Sequence, residues 1–285
     1  MKNIYNICFY LGLIHCSFCD IISLLLKYLA KEAVMEKLFD LAMDIGEQML
    51  VSGAEVHRVE DSLNRIFTAM GATRVDVFII TSSMVVTART EDGKTFTQTR
   101  RIKDTGTDYE RLHKLNELSR KICSERMTAE KIENELKSIS RSSGYPQWLI
   151  CICYSLIAGA FTLFFGGGIA EACVSLFVGL VVSFVVIVCD KTVKNKIFAK
   201  FMSSLVATAL ALAALKLGLI PDIDKVLIGN IMTLIPGIGL TNAIRDLFVG
   251  DSIAGLLRTI EACLAALAIA AGYFVLIFIT GGVAV

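Results

Sequence analysis

Residues 231–262 read IMTLIPGIGLTNAIRDLFVGDSIAGLLRTIEA, and the fold turns on them. The apolar runs on both sides have the composition of membrane-embedded segments. Between them lie a Pro-Gly break, the amide of Asn242, two arginines (Arg245, Arg258) and three carboxylates (Asp246, Asp251, Glu261). Polar groups at membrane depth are expensive, so those found there line a pathway or bind something. Residues 223–235 rise only about 20 Å as a helix, short of a hydrocarbon core of about 30 Å. Pro236 removes a backbone donor, and Gly237 and Gly239 relax the chain beside it. Thr241 is placed to cap a second half-helix ending near Gly250, which adds roughly 15 Å. Together the halves cross a bilayer with a break near its middle, where unwound backbone is tolerated only inside protein or facing a water-filled cavity. The second half then begins at 239–242, pointing N–H groups and a partial positive charge at that cavity. A carboxylate is the natural guest.

On this reading Asn230, Pro236, Gly237, Gly239, Thr241, Asn242, Arg245 and Arg258 line a substrate pathway. Asp246, Glu261 and Glu171 are candidates for proton coupling, because low dielectric can raise a carboxyl's pKa into the working range. A plainer reading stays open. Pro236 then only kinks a helix that ends at Leu240, Arg245, Asp246 and Asp251 are loop residues, and Asp251 caps the last helix. Arg258 and Glu261 pair at i,i+3, and Glu171 is an interfacial carboxylate.

Working outward, residues 148–165, 169–189 and 201–219 are further apolar runs of spanning length, separated by Gly166-Gly167-Gly168 and by a segment with four lysines between Asp190 and Lys200. Trp148 stands where an interfacial aromatic belongs, and Lys216 snorkels to an interface. Counting the broken one, about five spans follow residue 142. The lysine-rich segment and the 245–258 region share one side with the charged N-terminal half, and the positive-inside rule makes that side cytoplasmic.

Residues 35–141 hold most of the charge and read as a small α+β cytoplasmic domain. Helical spacing over 35–52 and 56–70 gives way to alternation over 75–80, 84–88 and 95–99, and returns over 108–123 and 128–139. Asp92-Gly93 marks a hairpin between the last two strands. Residues 1–34 are either an extra apolar helix containing Asp20 or an extension from an upstream start; a cleaved signal fits poorly. The 285 residues carry a formal net charge of +1 and no basic stripe, so no nucleic-acid partner is expected. Of nine cysteines most sit in apolar runs. Cys16 and Cys19 form a lone CxxC, the three histidines form no cluster, and neither a metal nor a cofactor is indicated. Glu55, His57, Arg58, Glu60 and Asp61 crowd one helix, but no nucleophile accompanies them, so the chain is not read as an enzyme.

Two motif blocks carry a resemblance. Residues 52–61, SGAEVHRVED, followed by Val75-Asp76-Val77-Phe78, form one; residues 236–246, PGIGLTNAIRD, with Gly250-Asp251 and Gly255, form the other. From about Met35 onward the chain resembles the threonine/serine exporter family, and within it the larger subunit of a split, two-component form associated with succinate export. The resemblance implies a cytoplasmic domain carrying Gly53, Glu55, Arg58, Glu60 and Asp61, about five membrane helices, and proton-motive export of a small amino or dicarboxylic acid across the cell membrane. It also implies a small second membrane subunit, since fused members carry another membrane half. An odd span count would let that half run in the opposite sense, with the site between. A membrane-anchored sensor is the rival reading, although a plain anchor needs no broken helix.

Overall fold

The computed structural model describes residues 28–29, 32–103, 105–125, 127–141, 144–193 and 195–280. The expectations for residues 1–27, the CxxC included, lie outside these. Two compact units divide the chain after residue 142.

In the first unit, α1 (residues 32–51) and α2 (Val56–Ala69) precede a three-stranded antiparallel meander, β1 (Ala72–Ile80), β2 (Ser83–Thr90) and β3 (Thr95–Arg101), in the order β1-β2-β3. The helices α3 (Tyr109–Ser124) and α4 (Ala129–Arg141) follow. Alternation in β2 sends Met84, Val86 and Ala88 to one buried face, and Val59, Leu63 and Ile66 of α2 are fully covered in the same unit. Gly93 takes φ +79 at the β2–β3 turn, as the Asp-Gly pair demands. The folded unit starts earlier than Met35: Glu32 pairs with Lys94 at 2.7 Å, and the Lys94 ammonium stands 4.5 Å from the Tyr28 ring centre.

The second unit holds α5 (Gln147–Phe164), α6 (Ile169–Thr192), α7 (Lys196–Lys216) and α10 (Ser252–Ile279), each long and apolar enough to cross a membrane. Between α7 and α10 come α8 (Asp224–Leu234) and α9 (Gly237–Val249), which meet at 54° and together satisfy the same test. α5 packs on α6 and α8, α7 packs on α6, α8 and α10, and α9 packs on α10. The helices meet around a cluster that includes Val178, Val182, Leu212, Val226, Leu227 and Ile269, and their closest approaches are made at small residues. A Cβ on Gly229 would lie 2.1 Å from the Thr162 hydroxyl and 2.8 Å from the Ala158 carbonyl; one on Gly272 would lie 2.5 Å from the Phe201 carbonyl. Hydroxyls bond across these approaches, Ser155 donating to Leu176 O and Ser204 to Ile269 O, each at 2.6 Å. Lipid tails give apolar helix faces no hydrophobic reason to associate, so close backbone contact and hydrogen bonds hold the bundle.

Candidate functional site: the broken span

The break follows from one missing proton. In a continuous helix Met232 O, Thr233 O and Leu234 O would accept from the N–H groups of residues 236–238. Pro236 has none. The Gly237 N–H turns to Ile235 O at 2.9 Å, and Leu234 O accepts from the Lys200 ammonium of α7, also at 2.9 Å. α9 starts immediately, with Leu240 N–H bonding Pro236 O at 2.9 Å, so Ile238 and Gly239 supply its first-turn amides. Thr241 is therefore one turn inside α9 and not its cap: its hydroxyl bonds back to Gly237 O at 3.0 Å. The helix restarts early because a proline fits the position ahead of a first turn, where no N–H is needed. Gly237 and Gly239 are exposed, and a Cβ on Gly237 would meet nothing within 4 Å.

The break sits nearer one end of the bundle than the sequence suggests. Lys200, which reaches it, is only about one turn inside the N-terminal end of α7. Gly272 of α10 meets α7 between Phe201 and Leu205, early in α7 but late in α10. The first turns of α10 therefore run on past the start of α7, by roughly 18 Å if the helices were parallel. α9 packs against this projecting part. Gly250, at φ +107, closes α9, and Gly255 lets the α10 backbone settle on it: a Cβ there would lie 2.8 Å from Leu247 N and 2.9 Å from Ala243 O.

That approach sets Asp246 against Arg258. A guanidinium N–H donates to the carboxylate at 2.9 Å, with side-chain exposures of 1% and 16%. Arg258 thus answers Asp246, not the i+3 Glu261, which is exposed. Asp251 precedes α10 without a side-chain cap bond.

The other sequence candidates scatter. Asn230 lies wholly buried on α8, its amide N–H donating to Val226 O at 2.8 Å while its side-chain oxygen is buried with no partner among the described residues. Glu171 is buried at the start of α6, its carboxylate accepting from the Gly168 N–H at 2.7 Å and so capping that amide. The neighbouring Gly167 approaches Lys225 at the start of α8, so Glu171 stands at the end of α8 away from the break. Asn242 is half-buried and Arg245 exposed on α9. In the first unit Gly53 takes φ +92, and a Cβ there would lie 2.7 Å from Gly106 O, so the α1–α2 turn tolerates no side chain. Glu55 precedes α2, Glu60 is half-buried, Arg58 is exposed, and exposed Asp61 pairs with Arg65 at 3.0 Å. Lys200 was missed because its position in a lysine run made it look like part of a loop.

A bundle of apolar helices around a broken one, with a buried ion pair about 15 Å along α9 from the break, has the make-up of a multi-pass membrane protein of the transporter class. Residues 40–280 match the family described as "Putative threonine/serine exporter", and the chain belongs to that family. It is similar to the "Probable succinate transporter subunit YjjP" of Klebsiella aerogenes, 25% identical over 225 residues that cover 79% of this chain and 86% of that protein. It is also similar to the protein of the same name from Escherichia coli K12, 24% identical over 248 residues that cover 85% and 94%. No solved structure matches. The chain is a membrane exporter, and transport separates its family from enzymes.

Proposed function

We propose that this chain is one subunit of a secondary exporter carrying small amino acids or dicarboxylates out across the cytoplasmic membrane, with its α+β unit in the cytoplasm. The broken span carries the reading. Threonine and serine in the family's description and succinate in the relatives' names share one group, a carboxylate. First-turn amides at a helix break suit that group. The substrate carboxylate meets the first-turn amides of Ile238 and Gly239, with Arg245 further along α9 and Arg258 on α10 as further members of the pathway. Asp246 is the leading coupling group, since a proton on it would release Arg258. Glu171 is engaged in capping and Glu261 faces outward, which ranks them lower. The word "subunit" in both relatives' names supports a small membrane partner, and α9 buries only Ala243 and Asp246, leaving one side of the break for it.

Efflux of labelled threonine, serine and succinate from preloaded cells, with and without the chain and a co-expressed partner, tests this. Pro236→Leu restores a helical donor. It is expected to abolish efflux at unchanged membrane abundance, and normal efflux from it would remove the break from the pathway.

A further inference from the structure

We propose that Lys200 supplies the positive charge of the carboxylate site at the break, an inference that rests on the exporter reading above. Its ammonium contacts Leu234 O at 2.9 Å, and it is half-buried. The carbonyl end of α8 satisfies one of its three N–H groups and only part of its charge. Among the described residues no carboxylate lies within ion-pair distance of Lys200, whereas the half-buried Arg258 is neutralised by Asp246. An ammonium partly withdrawn from water with no counter-ion beside it gains by meeting an anion, and the anion at this site comes from outside the chain.

The break itself explains why a cation is needed. It brings the C-terminal end of α8, with its partial negative charge, next to the N-terminal end of α9, with its partial positive charge. Left alone, the freed α8 carbonyls would repel an anion from the amides that attract it. Lys200 covers the last of those carbonyls and reverses the local sign. A carboxylate has two oxygens, so one can take the ammonium while the other takes the Ile238 and Gly239 amides. The missing side chains at Gly237 and Gly239 leave room for it. An ammonium matches this as a point charge on a flexible stem, able to turn from Leu234 O to the incoming acid.

The test uses the full chain with its membrane partner in vesicles, with labelled succinate as probe. Lys200→Met is expected to raise the half-saturating concentration about 10- to 100-fold, as losing a charge-assisted bond does, with little change in maximal rate. Lys200→Arg keeps the charge and stays near wild type, which a purely structural loss would not explain. In the wild type, succinate slows modification of Lys200 by an amine-specific imidoester, read by mass spectrometry, and the diamide of succinate does not. That measurement holds even if Lys200→Met misassembles. Unchanged half-saturation in Lys200→Met, or equal labelling with and without succinate, overturns the role of Lys200 while a transporting wild type keeps the exporter reading. A wild type that moves neither succinate nor threonine removes both.

Discussion

The two units of this chain differ in what brings their elements closest together. The first closes around large side chains: Met43, Ile45, Leu63, Met84 and Leu115 are fully covered, and the Phe39 ring centre lies 4.7 Å from Phe67 and 5.8 Å from Phe96. Its charges sit at the rim. The second brings glycine, alanine, serine and threonine to its closest approaches, around a cluster of valine, leucine and isoleucine, and covers the Asp246–Arg258 pair. Water expels apolar surface in the first case; in the second, contact distance and hydrogen bonds must do the assembling. A methyl group or a charge should therefore weigh differently in each.

The largest effect expected is a single methyl at a membrane seam. Gly229→Ala would place a Cβ against Thr162 and the Ala158 backbone, neither of which can yield without parting α8 from α5. Gly46→Ala in α1 meets only the tips of Leu63 at 3.0 Å and the Met84 sulfur at 3.2 Å, which are flexible. Gly229→Ala should leave little folded protein in the membrane, while Gly46→Ala should express near wild type. Detergent-extracted yield and monodispersity read the difference, and equal behaviour of the two would erase the contrast.

Next in size is the buried pair. Arg258→Ala removes the guanidinium that faces the covered Asp246 carboxylate, and breaking a buried pair on one side costs about 3–5 kcal/mol. Asp246→Asn with Arg258→Gln should recover most of that loss, since neither charge then needs an answer. Exposed pairs such as Arg74 with Asp76 contribute at most about 1 kcal/mol. Denaturation midpoints in detergent rank the three.

Much of this was legible in the sequence, and what was missed has a physical pattern. Periodicity, Asp92-Gly93 and Pro236 announce themselves locally, so the strands, the apolar helices and the break could be read directly. Contacts between elements could not. The plainer reading pairs Arg258 with Glu261 because sequence spacing favours i,i+3, yet the tight Gly250-Asp251 turn and the bare surface of Gly255 bring Asp246 to it from twelve residues away. Those two glycines were the available signal. Lys200 shows the same limit: its charge reads as a loop, and only the long reach of a lysine from the first turns of α7 takes it to Leu234. Thr241 was misjudged as a cap because a threonine there is a familiar start, although Pro236 had already opened the helix.

The smallest effect lies at the rim of the first unit, and its sign is fixed by pH. Glu133 of α4 pairs with Lys37 of α1 at 2.6 Å and with Lys137 of its own helix. Hydrogen bonds and attraction from Lys137 and Lys37 lower its carboxyl from 4.5 to about 2, and the same pairing with Glu133 raises Lys37 above 10.5. A carboxyl whose folded pKa is depressed stabilises the fold fully above its unfolded value and loses that contribution as pH falls toward the folded one. The α1–α4 seam should thus be firm above about pH 4.5 and weaken between there and about pH 2. Glu133→Gln lacks the charge at every pH. The difference in amide protection over residues 129–141 between wild type and Glu133→Gln, measured in the full-length protein, should be constant above about pH 5 and vanish toward pH 2. Because both proteins are compared at the same pH, other carboxyls cancel. A difference that persists at pH 2 would mean that the glutamate acts there through packing instead of charge, and the rim of the first unit would then resemble the seams of the second.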